Sequence, residues 1–171
     1  MNRYGFDLDR EMLKAISEEF NPINVIKTLR GPSDFEKYGR NLARRSLEEG
    51  EVRADRTYEV MKKAIEKTGE LNFPLVPQRY IEIAYLSVQP FNRLWVLINS
   101  PKVFLYRLDQ CGIYQAVRTE DGEEMARAMT CQSACFGMVD EIFSHFGFTI
   151  RSSMTASMAV DGNCQFRIEK R

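Results

Sequence analysis

The sequence has no surplus of charge of either sign. Lysine and arginine together number 24, aspartate and glutamate together number 24, and there is a single histidine. A chain whose main partner is nucleic acid usually carries a basic stripe that attracts phosphates, and no such stripe is visible here. We therefore expect no nucleic-acid partner.

Long apolar runs are also missing. The longest is Leu94–Ile98, whereas a membrane-spanning helix needs roughly 20 apolar residues. The segment Met1–Asp7 lacks the apolar core of a secretion signal. We expect no membrane partner and a cytoplasmic location, in which the four cysteines are thiols or metal ligands rather than disulfides.

The short motifs with a well-defined chemical role do not occur. The sequence contains no GxGxxG, GxxxxGK[ST], HExxH, GxSxG or CxxC. Each of these patterns places particular groups around a phosphate, a metal or a nucleophile. Their absence argues against dinucleotide binding, nucleotide binding, zinc-protease activity and thioredoxin-like redox activity.

What is present predicts an α+β fold. At 171 residues, 44% of them hydrophobic, the chain is expected to form a single domain, 1–171. Helical periodicity dominates residues 1–70, and residues 71–171 carry the patterns of a sheet, one long helix and a terminal hairpin. The expected architecture is a set of N-terminal helices packed with a mostly antiparallel sheet, one long helix and a C-terminal β-hairpin.

The sheet is predicted from runs rich in aliphatic and aromatic residues. These runs span residues 79–88, 93–98 and 102–108, with prolines at the breaks between them. The second and third have few polar positions, which indicates central strands covered on both faces. A helix is predicted over 122–146.

The hairpin is predicted from residues 148–160, where apolar and polar positions alternate with a period of two. A three-residue loop at 161–163 keeps the apolar side chains of both strands on one face. The resulting expected pairs are Val160 with Cys164, Met158 with Phe166, and Ala156 with Ile168. This register directs Cys164 into the core.

The four cysteines are the main candidates for chemistry. Cys131 and Cys135 are four residues apart on the predicted helix and share a face. Cys164 begins the last strand, and Cys111 follows the strand that ends at Leu108. Thiolates are nucleophiles and soft-metal ligands, so Cys131 and Cys164 are candidate catalytic residues. The alternative is that these cysteines are small apolar fillers of the core.

A ligand pocket is predicted between the sheet and the long helix. Met154, Met158 and Phe166 are expected on the inner face of the hairpin, with Cys135 and Val139 facing them from the helix. Thioethers adapt to ligands, but they also fill ordinary cores, and both interpretations stay open. A structural role is expected for the single histidine, His145.

Two segments of the C-terminal part resemble a known family. The run Cys131–Gly147, CQSACFGMVDEIFSHFG, and the run Gly162–Ile168, GNCQFRI, resemble the 4-vinyl-reductase-type (hydrocarbon-binding) domain. Shorter likenesses occur at Tyr38–Ala43 and Asn99–Pro101. The resemblance implies a helix-flanked sheet that holds an apolar or aromatic ligand, commonly as a homodimer.

The resemblance also implies a metal. In the sensor branch of that family, zinc is bound by three cysteines and a glutamate, and Cys131 and Cys164 fall where two of these ligands stand. The other two would fall near Met154 and 156–157, which offer no such ligands. Zinc could therefore bind only if Cys135 or Cys111 completes the site.

A second family shares part of the pattern. Cys111, the run Gly122–Cys131 and the run Thr155–Phe166 are similar to the L-2-amino-thiazoline-4-carboxylic acid hydrolase family. Ala134 and Gln165 stand where that family has acidic residues.

The residues and the resemblances together predict a small-molecule-binding domain that holds an apolar or aromatic ligand near a cysteine cluster. The alternative is a small-molecule hydrolase in which Cys131 or Cys164 is the nucleophile or a metal ligand.

Overall fold

The computed structural model describes residues 9–52, 56–69, 73–88 and 94–171. The helices in these ranges are α1 (Arg10–Phe20), α2 (Pro22–Val25), α3 (Pro32–Val52), α4 (Arg56–Thr68), α5 (Leu75–Val88), α6 (Gly112–Glu120), α7 (Glu123–Ala128), α8 (Gln132–His145) and α9 (Met158–Asp161). The strands are β1 (Leu94–Asn99), β2 (Val103–Leu108), β3 (Ile150–Ala156) and β4 (Cys164–Lys170). The predicted α+β class, with helices first and a C-terminal strand pair, is confirmed.

The four strands form one antiparallel sheet in the order β1-β2-β4-β3. Its inner face is built by alternate residues of β2 and β4, and all of them are buried. Tyr106 and Phe166 stack there with ring centroids 5.4 Å apart. Because side chains alternate along a strand, this face presents a continuous apolar surface to the helices.

Two helices cover that surface. Phe136 of α8 meets Phe166 edge-on at 5.7 Å, and Tyr85 of α5 lies against Tyr106 at 5.9 Å. Helix α3 packs on α8 in the most extensive contact between elements of the described residues. The core therefore lies between the sheet on one side and helices α5 and α8 on the other. Helix α3 packs on α8 and completes the cover.

The strand predicted at 79–88 is wrong, because these residues belong to α5. Eleven of the fourteen residues of α5 are buried, among them the polar Gln78, Glu82 and Ser87. A helix that is buried on nearly every side lacks the amphipathic stripe that distinguishes a helix from a buried strand. Pro77 does not disrupt it, because it lies in the first turn, where no backbone N–H is required.

The single helix predicted over 122–146 is divided. Helix α7 ends at Ala128, Met129 is extended (ψ 144°), and α8 begins after Cys131. Thr130 and Cys131 have lower helix propensity than the residues on either side, which favours a break at this point.

The predicted hairpin register is wrong as well. Met154 pairs with Phe166, Ser152 pairs with Ile168, and the strand pair is irregular beyond Met154. The chain leaves the sheet after Ala156 because Ser157 and Asp161 close a helical turn, in which the Ser157 amide donates to the Asp161 carboxylate at 2.8 Å. Gly162, with φ 68°, ends that turn.

The expected pairs of Val160 with Cys164 and of Met158 with Phe166 therefore do not form, and neither does that of Ala156 with Ile168. Val160 is 84% exposed. The prediction that Cys164 faces the core is confirmed.

Strand β1 is not a covered central strand. It lies at an edge of the sheet, and Trp95, Leu97 and Ile98 are exposed. The indole N–H of Trp95 donates to Asp109, and the Arg107 guanidinium lies 5.9 Å from the ring centroid. None of the described helices combines the length and the apolar composition that a membrane-spanning segment requires.

Candidate ligand cavity

A cavity lies where α3, α5 and α8 meet the sheet. Its volume is about 30 Å³, and the lining residues are Tyr38, Gly39, Leu42, Tyr85, Val88, Leu108, Cys111, Ile113, Cys131, Gln132, Ala134, Cys135, Met138, Met154 and Cys164. A cavity needs about 10–15 Å³ measured in this way to hold one water molecule. With the side chains in the positions that the structure shows, the cavity has room for a group of a few atoms.

All four cysteines line this cavity, each from a different place in the chain. Cys111 caps the N-terminus of α6, where its sulfur accepts a hydrogen bond from the Tyr114 backbone N–H at 3.4 Å. Cys131 is the N-cap of α8, Cys135 lies one turn further along α8, and Cys164 begins β4. The predicted convergence of Cys131 and Cys164 on one hollow thus agrees with the structure, and none of the four forms a disulfide.

The close approach of α3 and α8 brings the helical walls of the cavity together. A Cβ atom on Gly39 would collide with the carbonyl oxygen of Ala134, and one on Gly137 would lie 2.6 Å from the carbonyl oxygen of Glu36. Only residues without a side chain allow two helix backbones to come this close. Gly39 and Ala134 are themselves lining residues.

The environment of the thiols keeps them protonated. Loss of hydration on burial raises the pKa of Cys131 and Cys135, and the charge of a neighbouring thiolate would raise each further. Burial and the nearby Cys111 raise the pKa of Cys164 to about 11. A thiol must ionise to act as a nucleophile, so the raised pKa disfavours this role for all three.

Two tyrosines supply the main polar groups of the cavity wall. Burial raises the pKa of both Tyr38 and Tyr85, so both are neutral phenols. The Tyr38 hydroxyl donates to the backbone carbonyl of Phe20 at 2.8 Å. The Tyr85 hydroxyl lies 3.1 Å from that of Tyr106, which is fully buried.

The described residues contain no preformed metal centre. Within the part of the chain that the structure describes, no group of three or more histidine, cysteine, aspartate or glutamate side chains could hold a metal ion. Although the four cysteines share one cavity, their arrangement does not match the closed tetrahedral set that a structural zinc site needs.

The other predicted ligand contacts are only partly brought together. Cys135 and Met154 line the cavity, whereas Val139 and Phe166 are buried in the core outside its lining. Met158 packs against the core from α9. His145 lies outside the lining, with its Nε2 atom 2.8 Å from a Glu51 carboxylate oxygen.

Sequence reasoning missed the wall contributed by α5. Tyr85 and Val88 line the cavity, but both fell in the segment predicted as a strand. The spacing of buried residues such as Tyr80, Ala84 and Val88 by four positions was the available signal for a helix. Gly39 and Tyr38 lay in a segment quoted for its resemblance to a family and were not proposed as lining residues.

Comparison with known proteins adds no assignment. Neither the scan of family models nor the search of curated proteins finds a match for this chain. The two family resemblances therefore rest on the quoted residues alone.

Proposed function

We propose that this protein binds a small uncharged molecule in the cavity lined by its four cysteines. The observation that carries the proposal is the composition of the wall, since no charged side chain of the described residues lines the cavity. Ligand sites of this kind are concave and mostly apolar, with a few polar groups that orient the ligand. The wall around Leu42, Ile113 and Tyr85 has this character.

The size of the cavity determines how a ligand enters. Drug-sized ligands occupy about 300–1,000 Å³, far more than the present volume of about 30 Å³. Met138 and Met154 are the unbranched, flexible side chains of the wall, and methionine repacks easily around a guest. Binding of an apolar or aromatic ligand thus includes displacement of these two side chains.

The hydrolase alternative receives less support. It requires a thiolate, or a metal that converts a thiol into one, at Cys131 or Cys164. The raised pKa of both thiols opposes a resting thiolate. A binding domain has no such requirement, because neutral thiols serve as apolar wall groups.

The expected homodimer and the zinc ion stay predictions. Metal analysis of the purified protein tests the zinc prediction, and measurement of the molar mass in solution tests the dimer.

The proposal is tested with α-methylstyrene, a small uncharged aromatic probe, by isothermal titration calorimetry. Binding is expected for the wild-type protein. Cys131→Leu places a larger side chain in the cavity wall and should weaken binding by about ten-fold or more, because the added methyl groups occupy the ligand's space.

Ser133→Leu is the matched control. It adds the same side chain to the same turn of α8, at a half-buried position outside the lining, and should leave binding unchanged. Equal binding by both variants would show that the probe occupies another site. No binding to the wild-type protein would contradict the proposal.

A further inference from the structure

We propose that the ligand carries a neutral hydrogen-bond acceptor, such as a carbonyl oxygen, that is held by the hydroxyl of Tyr85. This inference rests on the proposed function and specifies the ligand class that the same cavity selects. Tyr85 is 3% exposed and lines the cavity. Of the two tyrosines in the wall, Tyr85 is the more deeply buried.

The direction of one hydrogen bond decides the role of Tyr85. The hydroxyls of Tyr85 and Tyr106 lie 3.1 Å apart, and the Tyr106 hydroxyl has no other hydrogen-bond partner among the described residues. A buried hydroxyl whose proton has no acceptor costs about 1–3 kcal/mol, and the pair by itself uses only one of its two protons. With a ligand acceptor at Tyr85 both protons are used, because Tyr106 donates to Tyr85 and Tyr85 donates to the ligand.

The Cys135 thiol lines the same cavity wall as Tyr85. Burial raises the pKa of this thiol, and the Tyr85 hydroxyl lowers it in part. Sulfur is a poorer hydrogen-bond acceptor than oxygen. A ligand oxygen that reaches Tyr85 would therefore give its proton a stronger acceptor than the thiol.

The other polar groups of the wall are less suited to this role. The Tyr38 hydroxyl is already used by the Phe20 carbonyl at 2.8 Å. Gln132 is half-exposed, so its amide keeps access to water and gains less from a ligand. The Cys111 sulfur accepts from the Tyr114 backbone, and a thiol is a weak donor.

The acceptor must be uncharged. Burial raises the pKa of Tyr85, Tyr106 and Cys135, so all three are neutral, and no cationic side chain of the described residues lines the cavity. An anion would be taken from water without a compensating charge, which is strongly unfavourable. Ketones, esters and amides fit the site, and carboxylates do not.

The test compares three probes of similar shape by isothermal titration calorimetry at pH 7. Acetophenone has a carbonyl oxygen, α-methylstyrene has a CH₂ group in its place, and benzoate has a carboxylate. One net hydrogen bond predicts that acetophenone binds about five-fold more tightly than α-methylstyrene. Benzoate should show no detectable binding.

The double substitution Tyr85→Phe with Tyr106→Phe should abolish the preference for acetophenone over α-methylstyrene. Both partners of the buried hydrogen bond are removed together, so neither is left unsatisfied. Tyr38→Phe is the control, since it removes a cavity hydroxyl that points elsewhere, and it should keep the preference. If the double variant does not fold, Tyr106→Phe takes its place. This single variant should keep the preference for acetophenone, as Tyr38→Phe does, because Tyr85 retains its proton.

The outcomes separate this inference from the proposed function. If α-methylstyrene binds as tightly as acetophenone, or if benzoate binds best, the inference is overturned while binding itself stands. A preference for acetophenone that survives in the double variant, or that is lost in Tyr106→Phe, overturns the role of Tyr85. If none of the three probes binds, the proposed function fails.

Discussion

The two sides of the α3–α8 pair differ in how they are stabilised. On one side the helices line a cavity without a charged side chain, and their backbones approach closely at Gly39. On the other side Arg40 and Arg44 of α3 bind Glu141 of α8, with the shortest N–O distance at 2.7 Å. The packing on the first side depends on shape, and the packing on the second side depends on charge. The first should therefore respond to changes of side-chain volume, and the second to changes of side-chain charge.

The largest effect is expected from Gly39→Ala. The new Cβ would collide with the Ala134 carbonyl, and this backbone oxygen cannot move unless α8 shifts. We expect a loss of about 3 kcal/mol in the free energy of unfolding, at the upper end of overpacking costs. Urea denaturation measures it.

Gly31→Ala is the control for this substitution, because a Cβ at position 31 would meet nothing within 4 Å. It should change stability by less than about 1 kcal/mol. Similar losses in the two variants would contradict the close approach of the helices.

An intermediate effect is expected from alkaline pH. Cys164 has its pKa raised from 9.0 to about 11 by burial and by Cys111, so the folded state retains a proton that the unfolded state loses. The stabilisation that comes from this retained proton is complete below pH 9 and declines as the pH rises. The free energy of unfolding should be about 2 kcal/mol lower near pH 11 than below pH 9.

Comparison with Cys164→Ala isolates this contribution from that of other groups that titrate at high pH. The variant should lose about 2 kcal/mol less than the wild-type protein between pH 8 and pH 11. Parallel pH profiles for the two proteins would refute the shift.

The smallest effect is expected on the charged side, from Glu141→Gln. Partial burial alone would raise the pKa of Glu141, but hydrogen bonds from Arg44 and Arg40 lower it overall. The stabilisation is present above the pKa of the unfolded carboxyl, near 4.3, and is lost as the pH falls through the lower folded value. The substitution should cost about 1 kcal/mol at pH 7 and less in high salt.

Glu18→Gln provides the comparison for this pair. Its partner Lys14 lies 3.7 Å away, and both side chains are well exposed, so the change should be close to zero. An equal cost at both positions would mean that Glu141 gains nothing from having two arginine partners.

The sequence was sufficient to predict the elements in which the periodicity of apolar residues agrees with their chemistry. The N-terminal helices have amphipathic faces, and β4 alternates so regularly that Cys164 and Phe166 had to share a buried face. The convergence of the cysteines followed from the same reasoning. That prediction used a three-residue loop that does not form, but the alternation along β4 by itself buries Cys164.

The predictions failed where local interactions override the pattern of apolar and polar residues. The Ser157–Asp161 turn ends β3 early, although the alternation continues through it. Helix α5 was mistaken for a strand because burial on almost all sides removes its periodicity. That mistake concealed Tyr85, which only a helix places on the cavity wall.

The close helix crossing has an evolutionary consequence. At Gly39 and Gly137 any larger residue pushes the backbones apart, while a cysteine of the wall can be exchanged for another small apolar residue at modest cost. Related sequences should therefore keep these two glycines, 98 positions apart, even where the thiols have diverged. Descent within this lineage would be easier to recognise from the glycine pair than from the cysteines.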